Sequence, residues 1–89
     1  MKKYVIEAEV GELGINLLRA IADTLHGDGY DKVELTPVDG PKEMGLYWRF
    51  ETDMPVEKPT IDELKRIPDV IDVYTDDEFQ IRLNPHKTI

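Results

Sequence analysis

Apolar and polar residues alternate in four stretches of this chain and recur at helical spacing in two others. Over residues 3–10, Tyr4, Ile6, Ala8 and Val10 point one way and Val5, Glu7 and Glu9 the other, the period-two pattern of a strand. Over 15–26 the period lengthens: Leu17, Leu18, Ile21, Ala22 and Leu25 fall three and four apart, on one helical face. Gly14 or Asn16 offers a cap for that helix, and Gly27-Asp28-Gly29 offers the stop. Residues 32–38 read as a second strand with Val33 and Leu35 inward. Pro37 has no N–H to give to a ladder, which sends this strand to a sheet edge or a bulge. A hairpin loop at 39–43 leads into 44–52, where Met44, Leu46, Trp48 and Phe50 share one face and Tyr47, Arg49 and Glu51 the other. This strand offers the core more apolar bulk than any other stretch, so it belongs at the centre of a sheet.

Past a proline-containing crossover at 53–59, Thr60-Ile61-Asp62-Glu63 fits a capping box, and Ile61, Leu64 and Ile67 supply the buried stripe of a short helix that Pro68 ends. Residues 70–75 make a fourth strand. Asp76-Asp77 then reads as a turn, and Phe79, Ile81 and Leu83 alternate over 78–83 as an extra hairpin strand, before a tail at 85–89. The order predicts an α+β fold: a ferredoxin-like two-layer sandwich, βαββαβ, in a single domain over 1–84, with both helices on one face of an antiparallel sheet.

Such a sheet leaves its second face open. Alternate positions place Val5, Glu7, Glu9, Glu34, Thr36, Tyr47, Arg49, Glu51, Asp72 and Tyr74 there. Tyrosine and arginine are enriched at binding hot spots. The expected binding residues are therefore Tyr47, Arg49 and Tyr74 as anchors, with Glu7, Glu9 and Glu51 setting the charge. The plainer alternative is a solvated face on which Arg49 neutralises cross-strand glutamates.

Charge narrows the partners. Nineteen acidic against eleven basic residues give a net charge of −8 over 89 residues, and the basic ones are scattered. A phosphate backbone would be repelled, so the expected partner is a basic protein or a second copy, not nucleic acid. No apolar run of bilayer length occurs, and a cytoplasmic protein without a membrane partner is the expectation. The chain has no cysteine and no serine, its threonines have no evident base, and no glycine loop suits a phosphate, so no enzyme and no cofactor are expected. Two acidic groupings invite a metal. Asp76-Asp77-Glu78 reads better as a solvated turn, and His26 with Asp28 and Asp31 better as a helix terminus favoured by the helix dipole.

Glu12-Leu13-Gly14-Ile15-Asn16-Leu17 resembles the acidic–glycine–leucine turn of ACT regulatory domains, and Gly29-Tyr30-Asp31-Lys32-Val33 and Ile67-Pro68-Asp69-Val70 resemble that family's entries to its second and fourth strands. The resemblance implies the same fold, pairing through sheets, and an amino-acid ligand near Glu12, Gly14 and Asn16. In length and in its Gly45-Leu46 strand the chain is also similar to the nucleotide-exchange domain of archaeal elongation factor one-beta. Three functions follow as expectations: a non-catalytic interaction module working through the open acidic face, by docking a basic partner or as a homodimer; an ACT-like small-ligand regulator; and a small acidic inhibitor, of the kind phages use, occupying a basic nucleic-acid site on a larger machine.

Overall fold

In a computed structural model, residues 2–9, 14–41 and 46–83 are described. The elements run β1 (Lys2–Ala8), α1 (Gly14–Gly27), β2 (Thr36–Val38), β3 (Leu46–Thr52), α2 (Lys58–Arg66), β4 (Val70–Thr75) and α3 (Asp76–Leu83). The four strands form one antiparallel sheet in the order β2-β3-β1-β4. Among the described residues, no helix is long and apolar enough to cross a membrane.

Side chains on β1 show how the sheet is covered. Residues 4–8 are buried without interruption, which requires apolar cover on both faces of the strand. Tyr4, Ile6 and Ala8 join Phe50 and Val73 in a first cluster with Leu17, Ile21 and Leu25 of α1 and Leu64 of α2. Tyr4 and Phe50, opposite each other across the β1–β3 ladder, stack with ring centroids 5.3 Å apart. The tyrosine hydroxyl accepts the Val56 N–H at 2.8 Å, so its one polar atom is satisfied inside the core. A second cluster holds Val5, Tyr47, Tyr74 and Phe79, with Val38 and Leu83 packed against it. Trp48, expected deep in the core, is half-buried opposite Pro37 of the edge strand β2.

Local chemistry fixes the element ends. Gly29 has φ +97°, a left-handed conformation cheap for glycine alone. Around it the Tyr30 N–H bonds the Leu25 carbonyl and the Gly29 N–H bonds the His26 carbonyl, the paired closing bonds of a Schellman motif. Between α2 and β4, Pro68 is followed by Asp69 at φ 74°, and the Val70 N–H closes on the Ile67 carbonyl at 3.1 Å, the combination that defines a type II turn.

Three sequence expectations are corrected. Residues 78–83 are not a hairpin strand, and Asp76-Asp77-Glu78 is not a free turn: 76–83 is the helix α3, following β4 without an intervening residue. Its start is a capping box, in which Glu78 Oε1 accepts the Thr75 N–H at 2.9 Å and Thr75 Oγ1 accepts the Glu78 N–H at 3.2 Å. By contrast Thr60 caps nothing. Pro59 starts α2 earlier, its N-cap is Glu57 with no side-chain cap bond, and Thr60 lies inside the first turn. Buried there, Thr60 donates its hydroxyl to Asp28 Oδ2 at 2.7 Å and ties the start of α2 to the end of α1. The expected strand residues Val10 and Met44 lie outside the described residues, as does the tail.

Candidate functional site, the sheet face beneath the last helix

Register brings the predicted binding residues together. Val5 sits between Arg49 and Tyr74, and Glu7 between Tyr47 and Asp72, so all of these project from the same face. That face is not open. Tyr47, Tyr74 and Glu7 are 3%, 6% and 4% exposed, because α3 lies across them. Arg49 and Glu51 are half-buried, and Glu9 is exposed.

Each of the three expected anchors meets one residue of α3. The Tyr47 ring packs against Phe79 with centroids 5.5 Å apart and planes tilted by 50°. Arg49 Nη2 pairs with Asp76 Oδ1 at 3.1 Å. The Arg82 guanidinium lies over the Tyr74 ring, 4.4 Å from its centroid. Residues 76, 79 and 82 are spaced by three, which places them along one side of a helix. Gly40, just past β2, packs closely against Tyr47; a Cβ built there would overlap the ring. The Tyr47 ring thus contacts both Gly40 and Phe79.

Under the helix lies a polar pair. The Tyr74 hydroxyl donates to Glu7 Oε1 at 2.7 Å, buried. Burial, reinforced by the neighbouring Glu7 carboxylate, drives the Tyr74 hydroxyl well above the ordinary tyrosine range, so it stays protonated as the donor. Glu51 pairs instead with its cross-strand partner Lys3 at 3.8 Å, at the rim.

The remaining candidates disperse. Gly14 opens α1 and Asn16 is exposed on it, while Glu12 lies outside the described residues. His26 and Asp31 line an open groove of about 530 Å³ beside β2, with Glu34, Arg49, Glu51 and Asp53, whereas Asp28 turns away to Thr60. Among the described residues no three His, Asp or Glu side chains are placed to hold a metal ion. Sequence reasoning missed Asp76, Phe79 and Arg82, and the signal that could have found them is the second Thr-x-x-Glu start, Thr75-Asp76-Asp77-Glu78. No protein-family model, no curated protein and no solved structure matches this chain.

Proposed function

We propose that the chain is a non-catalytic protein-interaction module whose docking surface is the sheet face of Tyr47, Arg49 and Tyr74, with α3 occupying that surface until a basic segment of a partner replaces it. The scaffold we infer is a ferredoxin-like βαββαβ core with α1 and α2 on one face and α3 added on the other. The strand order β2-β3-β1-β4, and the shared cluster of Leu17, Ile21, Leu25 and Leu64, support it. The observation that carries the functional reading is that one stripe of α3 engages all three anchors, Asp76 on Arg49, Phe79 on Tyr47 and Arg82 on Tyr74. The face accepts a short helix bearing one aromatic residue, and α3 holds it with Phe79 as its one buried side chain. Displacing α3 uncovers Glu7, 4% exposed beneath it, within a chain of net charge −8, and that carboxylate favours a cationic replacement.

The experiment is a fluorescence-anisotropy titration with a labelled peptide of residues 75–83. The Phe79→Ala chain, its own helix loosened, should bind the peptide more tightly than the unaltered chain does. Adding Arg49→Glu should weaken that binding, and a peptide with lysine in place of Asp77 and Glu78 should bind better at low salt. If no variant binds either peptide, the face is only a core surface.

A further inference from the structure

Next to Thr36 the sheet has a gap. β3 runs from Leu46 to Thr52, but β2 pairs only with its residues 47–49, so residues 50–52 have β1 on one side and no strand on the other. The chain leading into β2 keeps the alternation of a strand, with Val33 and Leu35 half-buried against the first cluster and Lys32 and Glu34 exposed. Yet it does not close on β3. Among the described residues, 31–35 make no hydrogen bond to another backbone group. The groove of about 530 Å³ is lined from the first of these stretches by Val33 and Glu34 and from the second by Phe50 and Glu51. Both stretches therefore hold unpaired N–H and C=O groups, the template to which an extended segment adds as a further strand.

We infer that this groove binds a short basic segment of a partner protein, held in extended form against the unpaired end of β3. Charge decides the occupant. Asp31, Glu34 and Asp53 border the groove, and among the described residues their side chains have no ion pair or hydrogen bond. Arg49 is taken by Asp76 at 3.1 Å, which leaves Lys32 against those three carboxylates. Glu51, paired with Lys3 at 3.8 Å at the rim, adds a further negative charge. An acidic segment is repelled, and a neutral one gains ladder bonds alone. A segment with lysine or arginine at every second position gains both, because its cations fall on the Glu51 face and its small apolar residues on the Phe50 face. The net charge of −8 on each chain disfavours a second copy in the same place. Filling the groove does not require α3 to leave the sheet, so this site is separate from the docking surface proposed above.

The test titrates the full chain with a labelled five-residue peptide alternating lysine and valine, followed by fluorescence anisotropy and amide hydrogen exchange. Two control peptides carry glutamate in place of lysine, or proline in place of valine; the second keeps the charge and loses two ladder donors. The lysine–valine peptide should bind about tenfold or more tighter than either control, and amides within 31–35 and 50–52 should gain protection. Glu34→Lys with Asp53→Lys, both at exposed positions, should weaken that binding about tenfold and leave the far-ultraviolet circular dichroism unchanged. Equal binding of the proline peptide would reduce the effect to charge alone and overturn the inference. So would slow exchange of the 33–35 amides before any peptide is added, since the chain would then close the gap itself. Protection confined to the Tyr47 face would overturn it too, because the peptide would then lie where α3 does.

Discussion

Phe79→Ala is the sharpest test of the helix that covers the sheet. Phe79 is 1% exposed, is the buried side chain of α3, and meets Tyr47 at 5.5 Å. Truncating a phenylalanine in a core costs about 3–5 kcal/mol, the lost transfer energy plus the cavity left behind. Here the cost has a ceiling. Because α3 can leave the sheet instead of spanning a void, the loss cannot exceed the free energy with which α3 docks. A domain of this size has roughly 5–10 kcal/mol in total, so the variant stays folded in water. The assay is urea unfolding followed by Trp48 fluorescence. If α3 stays docked over a cavity, the midpoint falls and the slope holds. If it detaches, the slope falls as well, because surface formerly exposed only on unfolding is already exposed in the native state. Phe79→Leu should lose less than about 1.5 kcal/mol and keep the slope, since volume is nearly conserved. A Phe79→Ala loss below about 1 kcal/mol with an unchanged slope would refute the reasoning, because Phe79 would then anchor nothing.

Four further outcomes follow from the same geometry. Thr60→Val should cost about 1 kcal/mol through the lost bond to Asp28, while amide exchange in the first turn of α2 stays unchanged, because Thr60 is not its cap. Gly40→Ala should cost about 1–3 kcal/mol, since its methyl group displaces the Tyr47 ring, and the near-ultraviolet circular dichroism should change with it. Tyr74 makes stability fall in alkali. Below the ordinary tyrosine pKa near 10 both states hold the proton; above it the unfolded chain releases the proton while the folded chain keeps it, so unfolding becomes easier as pH rises, and Tyr74→Phe should flatten that decline. Ile81→Lys should change stability by less than about 0.5 kcal/mol by thermal melting, because Ile81 is 51% exposed on the outer side of α3.

The error over residues 78–83 has a physical origin. Phe79, Ile81 and Leu83 alternate, yet Phe79 and Leu83 are also four apart, and a run this short satisfies both periods. In the helix Phe79 is buried, Leu83 is half-buried and Ile81 turns to solvent, which is the residue that separates the two readings. Thr-x-x-Glu occurs at both 60–63 and 75–78, and backbone context decides between them. At the first, Pro59 already occupies the opening turn of α2 and pushes Thr60 past the cap; at the second, nothing competes with Thr75. What the alternation did fix is the side of the sheet on which Tyr47, Arg49 and Tyr74 stand, because register preserves parity. What it could not fix is whether that side is wet, since parity says nothing of what covers a face. The hint lay in β1, where Tyr4, Val5 and Ile6 are apolar in succession on a central strand. A strand apolar on both sides requires cover on both sides. With Leu17, Ile21, Leu25 and Leu64 all committed to the Tyr4 side, Val5 takes its cover from Phe79.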